Sequence, residues 1–289
     1  MAKDVPIMRK RKKIAVVGAG IGGLVSALKL AHEGFEVKVF ERSEYPGGKI
    51  RTLKANSGPI NIGPTVLTML PIFQNLFREV GEDIFDHLEL KEQNILARHW
   101  WSDGTEFDLF TNKNNTFDEI RNVFGSNAAN QYMEFFHTTE KMFTCFEKPV
   151  MKTVSPAPIE ILKEICKTPT VIPALFPFRT LDKYLKSKFS EPKLQQLFGR
   201  YATYVGGSPL NSPALMALVW QAEAKGVWTV KGGISSVAKA IERLAEDRGV
   251  EFIYGHRVIE IQQSKHLVNK VCLDAVSYTH LTLPTRNCV

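Results

Sequence analysis

The chain has 289 residues, of which 44% are hydrophobic and 23% charged, so it can bury a core and is not disordered by composition. Its net charge of +7, from 37 basic and 30 acidic residues, suits an anionic cofactor, a membrane surface or nucleic acid without choosing among them. The four cysteines have no C-x-x-C spacing, which favours a reducing compartment over disulfides or a zinc site.

The first elements of the chain predict a β-α-β unit. Residues 14–17 are a short apolar run typical of a buried parallel strand, and apolar residues recur at helical spacing over 24–31. Gly34 ends the helix, and residues 35–40 alternate as a second strand. The basic run before the first strand also has the outline of a signal peptide, but Lys29 and the glycines within the apolar stretch favour the β-α-β interpretation.

The turn between the first strand and the helix has the pattern G-x-G-x-x-G, formed by Gly18, Gly20 and Gly23. These glycines allow a tight turn, close approach to a pyrophosphate and close helix–strand packing, while the helix N-terminus offers free N–H groups to phosphates. Glu41 ends the second strand, where its carboxylate can bind an adenosine ribose. The combination predicts a dinucleotide site rather than a glycine-rich turn that binds nothing.

A second glycine pair, Gly47-Gly48, follows at once and is succeeded by Lys49. The stretch ERSEYPGGKIRT resembles the R-x(n)-G-G-[RK] signature of flavoproteins with two dinucleotide-binding domains. This resemblance favours FAD over NAD, whereas an ordinary P-G-G turn would bind nothing.

Residues 112–225 change character and are predicted to be mainly helical. Ser126 is the predicted N-cap of a helix with an apolar stripe. The stripe is either a core face or part of the wall of an apolar tunnel. It consists of Tyr132, Phe135, Phe136, Thr139, Met142, Phe143 and Phe146.

The prolines of TVIPALFPF prevent a long helix in that segment. Exposed apolar residues flanked by Lys186, Lys188 and Lys193 suit docking on a membrane surface, although a packed loop beside a solvated helix explains the same composition. Likewise the N-terminal RKRKK either attracts anionic lipid or is a solvated arm.

After residue 230 the pattern predicts a helix followed by two strands. Val237, Ile241 and Leu244 line one helix face, and Gly249 ends the helix. The strand RVIEI and the stretch LVNKVCLDA alternate as a hairpin would.

Four segments resemble the carotenoid desaturases related to bacterial phytoene desaturase, and in particular the 1-hydroxycarotenoid 3,4-desaturases, also called methoxyneurosporene dehydrogenases. They are Gly58–Met69, Ala97–Phe110, Leu197–Ala214 and Trp220–Gly233. One departure is Asn61, which stands where the family often has Asp in a D-x-G-P-T pattern and so removes a charge near the expected flavin.

The resemblance implies an α/β fold in which a discontinuous, Rossmann-like FAD-binding domain (1–111 and 226–275) carries an inserted, mainly helical substrate domain (112–225). It implies FAD, a long apolar carotenoid bearing a hydroxyl or methoxyl group, and an electron acceptor such as oxygen or a quinone. It also implies a cytoplasmic protein at the inner face of the cell membrane. No nucleic acid or metal is expected.

The implied chemistry removes two hydrogens from adjacent carbons, one as a hydride to the flavin and one as a proton. Since loss of an allylic hydride leaves a delocalised cation, no strong base is required, and no catalytic residue is assigned. The expected cofactor-binding residues are Gly18, Gly20, Gly22, Gly23, Glu41, Arg42, Gly47, Gly48, Lys49, Gly63, Pro64, Thr65 and Val258. The candidates for facing the substrate or its terminal hydroxyl, each of which could instead have a buried packing role, are Arg200, Tyr201, Tyr204, Trp220 and Gln221.

Two alternatives stay open at this point. One is a phytoene-type desaturase that acts on another bond, and the other is a non-enzymatic binder of prenylated partners on the same fold, as in Rab GDP-dissociation inhibitors. The intact glycine pattern and Glu41 argue against the binder.

The last residues of the chain are polar and show no periodic arrangement of apolar or charged residues. VSYTHLTLPT resembles a translated sequencing-library adapter, so residues 276–289 are predicted to be a non-native tail on a chain that is incomplete at its C-terminus. Such a piece is expected to be inactive on its own.

Overall fold

The computed structural model describes residues 12–56, 58–172, 179–264 and 267–274. Three sequence predictions concern residues wholly or largely outside these ranges: the basic N-terminal arm, the proline-rich TVIPALFPF and the non-native tail. The chain divides into two compact units. The glycine-turn unit comprises the chain up to Lys91 and from Trp228 onward, and the aromatic unit comprises Glu92–Val227. The assignment of domains at 111/112 and 225/226 stays a prediction.

The strands are β1 (Lys13–Val17), β2 (Glu36–Phe40), β3 (Thr52–Ala55), β4 (Gly58–Asn61), β5 (Leu67–Thr68), β6 (Leu90–Glu92), β7 (Ile95–Trp100), β8 (Glu106–Phe110), β9 (Val227–Val230), β10 (Glu251–Ile253), β11 (Val258–Ser264) and β12 (Leu267–Leu273). The α-helices are α1 (Ile21–His32), α2 (Leu70–Glu79), α3 (Ile84–His87), α4 (Lys113–Phe124), α5 (Ser126–Phe146), α6 (Pro158–Lys167), α7 (Leu181–Lys188), α8 (Pro192–Gly199), α9 (Gln221–Ala224) and α10 (Ser235–Glu246). A π-helical turn covers Glu147–Met151, and 3₁₀ turns cover Pro169–Val171, Arg200–Val205 and Ala214–Leu218.

A parallel sheet with the strand order β1-β2-β10 lies at the centre of the glycine-turn unit. Val37 and Val39 of β2 are almost fully buried, and they share one core with the apolar faces of α1 and α10. These helices pack on each other, which places the predicted β-α-β unit and the predicted helix-strand pair in one layered core. These elements are confirmed, as is the hairpin, which β11 and β12 form as antiparallel partners. The predicted burial of the first strand is wrong, because β1 is only partly buried and Val17 is 51% exposed.

Helix α1 ends as the sequence predicts. Gly34 has a φ of 87°, and its N–H donates to the carbonyl of Ala31, while the N–H of Phe35 donates to that of Leu30. A residue in the left-handed region directly after a helix satisfies its last carbonyls and turns the chain into β2.

The aromatic unit is built around the long helix α5, whose predicted apolar stripe is buried. The side chains of Phe135, Phe198 and Trp220 pack together, with ring centroids of Phe135 and Phe198 4.7 Å apart. Of the two interpretations of the stripe, the core face is therefore the one observed. The N-cap prediction at Ser126 is wrong by one position, because Gly125, at φ 89°, precedes the helix and Ser126 is its first residue.

Within the part of the chain that the structure describes, no helix combines the length and apolar character needed to cross a bilayer.

Candidate functional site

The first candidate site is the glycine turn between β1 and α1. The N–H of Gly18 donates to the carbonyl of Phe40 (2.7 Å), which ties the turn to the end of β2. Gly20 forms an isolated parallel bridge with Gly47, and the N–H of Gly47 donates to the carbonyl of Ala19 (2.8 Å). The two glycine motifs that are separate in the sequence thus meet in space.

Close approach of another backbone segment favours glycine at two positions, Gly23 and Gly48. A Cβ at Gly23 would lie 1.9 Å from the carbonyl oxygen of Gly18, so any side chain there would push α1 off the turn. A Cβ at Gly48, which has a φ of 61°, would lie 3.1 Å from the Cα of Gly20. The backbones of the two glycine motifs are therefore in direct contact, with no side chain between them.

The N-terminus of α1 opens onto this turn. Gly20 is its N-cap in an extended conformation, and no side chain caps the first turn of the helix. Since the first N–H groups of a helix lack intrahelical partners, this end presents free donors and a partial positive charge. That arrangement suits the phosphates of a dinucleotide.

Glu41 connects the turn to the end of β2. Its side chain is buried; Oε2 accepts from the N–H of Ala19 (2.7 Å) and Oε1 from the N–H of Ser43 (2.9 Å). Burial by itself would raise the pKa of Glu41, but the hydrogen bonds from Ala19 and Ser43, together with the charge of Arg42, outweigh it and the pKa is lowered. The ionised carboxylate therefore holds the turn in place, and each oxygen keeps a further lone pair for a ribose hydroxyl.

The other predicted cofactor residues lie around this turn or at the edge of the same unit. A Cβ at Gly63 would lie 2.1 Å from the carbonyl oxygen of Lys49, so these two backbones are in contact. Val258 begins β11 and packs against the small cluster of Phe40, Val271 and Leu273. The predicted residues with exposed side chains are Arg42, Lys49, Pro64 and Thr65.

The glycine-turn unit fits an FAD. The uncapped helix end suits its pyrophosphate, Gly18 and Gly22 have open space where a side chain would otherwise be, and Glu41 retains acceptors for its ribose. The role of each individual residue stays a prediction.

The second candidate site lies in the aromatic unit, where three side chains converge on the carboxylate of Glu223. Tyr201 donates its hydroxyl to Oε2 (2.6 Å), Arg200 donates Nη2 to the same oxygen (2.9 Å), and Tyr204 donates to Oε1. The side chain of Glu223 is 9% exposed. The sequence predicted all three donors as substrate-facing candidates but missed their acceptor.

The charges in this cluster compensate one another. Burial and the neighbouring carboxylate raise the pKa of both Tyr201 and Tyr204, so both phenols stay protonated and act as donors. Burial alone would lower the pKa of Arg200, but Tyr201 and Glu223 outweigh it and the pKa is raised. The cluster is therefore an ion pair between a partly exposed Arg200 and a buried Glu223, with two neutral phenol donors, and both carboxylate oxygens of Glu223 accept hydrogen bonds.

The remaining two candidates lie deeper in the same unit. Trp220 and Gln221 are each about 1% exposed, and both donate to the hydroxyl oxygen of Thr139, at 2.9 Å. Thr139 donates in turn to the carbonyl of Phe135 (2.9 Å). This closed network favours the packing alternative for Trp220 and Gln221, and their contact with substrate stays a prediction.

The comparison with protein families gives one match. The sequence model of the family described as flavin containing amine oxidoreductase matches residues 21–280, which is most of the chain. This match confirms the predicted flavoprotein class and its FAD cofactor.

Two curated relatives are carotenoid desaturases. A hydroxyneurosporene desaturase from Cereibacter sphaeroides is 43% identical over 86% of this chain and 50% of its own length. A 1-hydroxycarotenoid 3,4-desaturase from a Flavobacterium species is 32% identical over 90% of this chain and 53% of its own length. The chain spans about half the length of these relatives.

Solved structures agree on the fold. A crystal structure of an oxidoreductase from Methanosarcina mazei superposes with a TM-score of 0.61 at 17% identity, covering 91% of this chain and 56% of that protein. At this identity the likeness shows the fold alone, and it confirms the predicted α/β fold. The chain therefore belongs to the flavin containing amine oxidoreductase family, in which its sequence is similar to those of carotenoid desaturases.

Proposed function

We propose that this protein is a FAD-dependent desaturase of acyclic carotenoids that carry a hydroxyl or methoxyl group. The observation that supports this proposal most strongly is the similarity to hydroxyneurosporene desaturases over most of the chain, combined with a glycine turn whose geometry suits a dinucleotide. A phytoene-type desaturase acting on another bond is the neighbouring alternative, since the bond is chosen by how far the polyene enters its site.

When bound, FAD supplies the acceptor for the hydride. In the proposal, the N–H groups at the start of α1 bind the pyrophosphate and Glu41 binds the ribose, so the cofactor is held by backbone and by one ionised side chain. The chain needs to orient and desolvate the polyene rather than abstract a proton strongly, because the developing cation is delocalised over the conjugated bonds.

Cofactor binding is tested by a single substitution in the turn. A Cβ at Gly20 meets its nearest neighbour, the Cα of Gly48, at an ordinary 4.0 Å. Gly20→Ala should therefore fold normally, yet lower FAD affinity at least about tenfold, because its methyl group projects into the gap between the two glycine motifs where we propose that the pyrophosphate approaches the backbone. The control is Ser26→Ala, an exposed position on α1 outside the predicted cofactor residues, which should bind FAD normally. If the unsubstituted protein binds no FAD, the non-enzymatic isoprenoid binder becomes the better proposal.

Activity is tested by expressing the uninterrupted gene, at the full length of the relatives, in cells that accumulate an acyclic hydroxycarotenoid. One added conjugated double bond moves the pigment's absorption to longer wavelength, so the product is visible in the extracted carotenoids. Unchanged pigment from cells that contain soluble, flavin-loaded protein would contradict the proposal. We assign reoxidation of the flavin to oxygen or a quinone. The two are separated by measuring product formation in the absence of oxygen, with and without added quinone: product that depends on the quinone identifies the quinone as acceptor.

We further propose that the protein is cytoplasmic and docks peripherally on the inner face of the cell membrane, where an apolar carotenoid is available. Helix α6 supports this because none of its residues is buried. Ile159 and Leu162 are 58% and 54% exposed, and Val154, four residues before the helix, is fully exposed. An amphipathic helix with a bare apolar face suits the interface between lipid headgroups and acyl chains.

The docking surface that we propose differs from the segment suggested by the sequence. In that segment, Lys186 donates a hydrogen bond to Asp182 (2.9 Å) and Lys193 donates one to Asp103, so these lysines already have protein partners. The test is co-sedimentation with phosphatidylcholine vesicles, with and without anionic lipid. Replacing both Ile159 and Leu162 by Asp should abolish binding, whereas Val123→Asp, an exposed position on α4, should not. Equal binding of both variants would contradict α6 as the docking surface.

A further inference from the structure

A small pocket lies between the π-helical turn and helix α6 of the aromatic unit. Its volume is about 280 Å³, and its lining includes the charged side chains of Lys148, Lys152, Glu160 and Glu164. This volume is slightly below the range of about 300–1,000 Å³ that is typical of pockets for drug-sized ligands, so the pocket suits a small polar group. We call it the lysine–glutamate pocket.

The π-helical turn and the residue that follows it supply the positive charges of the pocket. Lys152 pairs with Glu147, with 3.1 Å between Nζ and Oε1. Lys148 has no ion-pair partner within 4 Å among the residues that the structure describes. Its ammonium group is therefore available to an anion such as a phosphate.

Helix α6 supplies the negative charges of the pocket. Glu160 and Glu164 are about one helical turn apart and share one face of the helix. Each accepts a hydrogen bond through Oε1 from the lysine three residues later, in both cases at 2.7 Å, and within the described ranges the Oε2 of each has no partner. The hydrogen bond and the charge of Lys163 lower the pKa of Glu160, so this carboxylate is ionised near pH 7.

The two sides of the pocket together determine the charge pattern of a ligand that fits it. A group that carries an anion and, close by, a cation with N–H donors meets the opposite charge on each side. A purely anionic group would face the two carboxylates, and a purely cationic group would face the two ammonium groups. The pocket therefore suits a zwitterion, such as a phosphate joined to a primary ammonium.

The residues around the pocket indicate that a membrane lipid supplies this zwitterion. Val150, Met151 and Val154 lie along the chain between the two lysines and α6 or between the lysines themselves, and all three are exposed. Ile159 and Leu162 on α6 are exposed as well. Bare apolar side chains beside a charged pocket suit the boundary between lipid headgroups and acyl chains, whereas a soluble zwitterion would leave them uncovered.

We propose that the lysine–glutamate pocket binds the headgroup of a zwitterionic phospholipid that carries a primary ammonium, which is the chemistry of phosphatidylethanolamine. Lys148 and Lys152 bind its phosphate, and Glu160 and Glu164 bind its ammonium. This inference rests on the proposed docking of α6 on the membrane and deepens it by naming the lipid class and the residues that recognise it.

The test measures the binding of three short-chain lipids to the flavin-loaded protein by isothermal titration calorimetry, below the concentration at which they form micelles. They are dihexanoyl phosphatidylethanolamine, phosphatidylcholine and phosphatidylglycerol. The ethanolamine lipid should bind at least about fivefold more tightly than either of the others, because exposed ion pairs are individually weak and two of them add. The trimethylammonium of the choline lipid has no N–H to donate, and the glycerol lipid has no cation.

Two variants separate the two sides of the pocket. Glu160→Gln combined with Glu164→Gln removes the charges that bind the ammonium, so this variant should bind the ethanolamine lipid no more tightly than the choline lipid. Lys148→Met removes the unpaired ammonium group and should weaken the binding of all three lipids at least about threefold. The control is Asp118→Asn on α4, an exposed carboxylate that also pairs with a cation three residues later, and it should retain the preference.

Equal binding of the ethanolamine and choline lipids by the unsubstituted protein, or no binding of either, would overturn the inference. Retention of the preference by the double glutamine variant would overturn it too, because the selectivity would then arise elsewhere.

Vesicles keep this outcome separate from the other proposals. Co-sedimentation that depends on Ile159 and Leu162 but is equal for choline and ethanolamine vesicles would contradict the headgroup site and leave docking by α6 standing. A preference for the soluble ethanolamine lipid without binding to any vesicle would contradict docking and leave the pocket standing. The same preference in protein that desaturates no carotenoid would contradict the proposed desaturase alone.

Discussion

The two candidate sites differ in which part of the chain forms them: the backbone in one and side chains in the other. In the glycine turn the binding surface is backbone, held by contacts such as that between Gly20 and Gly48, and one side chain, Glu41, fixes it through two main-chain N–H groups. In the aromatic unit the site is made of side chains that meet at Glu223. We expect a backbone site to tolerate no added volume at its closest contacts, and a side-chain site to tolerate no change of polarity. Substitutions can test this difference.

The largest effect is expected where volume is added to the backbone site. Gly23→Ala places a Cβ 1.9 Å from the carbonyl oxygen of Gly18, and neither backbone can move without breaking the contact between β1 and α1. We expect the free energy of unfolding to fall by at least about 3 kcal/mol, the upper range for overpacking.

Urea denaturation followed by circular dichroism measures this loss. The control is Gly22→Ala on the same helix, which should leave the stability unchanged or raise it by up to about 1 kcal/mol because alanine is the better helix former. Similar losses for the two variants would mean that the close packing at Gly23 is not what holds the turn.

A smaller but still large effect is expected where polarity changes in the side-chain site. Glu223→Gln keeps the volume but removes the charge that pairs with Arg200, and the amide nitrogen offers a donor where Tyr204 or Tyr201 also donates. We expect the free energy of unfolding to fall by about 2–4 kcal/mol, discounted from a fully buried pair because Arg200 is partly exposed. The same denaturation assay measures it, and Glu140→Gln, an exposed position on α5, should change nothing.

The smallest effect concerns the one ionised side chain in the backbone site. The folded pKa of Glu41 is lowered from its ordinary value of 4.5, so the stability that its carboxylate contributes is fully present above pH 4.5 and is lost as the pH falls through the lowered pKa. Glu41→Gln should cost about 1–2 kcal/mol at pH 7, since both hydrogen bonds to Ala19 and Ser43 are charge-assisted.

The difference between wild type and Glu41→Gln should shrink as the pH is lowered from 7 toward 3. Denaturation midpoints at several pH values measure this, and the same series on Glu36→Gln, a partly exposed partner of Lys13 outside the turn, serves as the comparison. A difference that stays constant over this range would show that the charge of Glu41 does not support the turn.

Much of the fold could be predicted because its signals are local. The β-α-β unit, the helix ending at Glu246 and the buried stripe of α5 all follow from periodicity over a few turns or strands. The error at Ser126 is equally local: serine is a common N-cap, but Gly125 already supplies the non-helical residue before the helix, so the serine begins it.

Glu223 could not be predicted as a site residue from its local context. Glu223 stands between two alanines in the block WQAEAKGVW, where an acid is expected to face solvent, and only packing buries it beside Tyr201. The one available signal was its position inside a segment that resembles the carotenoid desaturases.

The sequence by itself determined the dinucleotide-type turn, because its requirements are backbone conformation and close approach, which glycine spacing encodes within one β-α-β unit. Tertiary structure alone decided that Gly48 closes on Gly20, that Glu41 holds the turn through Ala19, and that Glu223 gathers Arg200 and two tyrosines. These contacts join residues with no periodic relation, so their geometry depends on how whole elements pack.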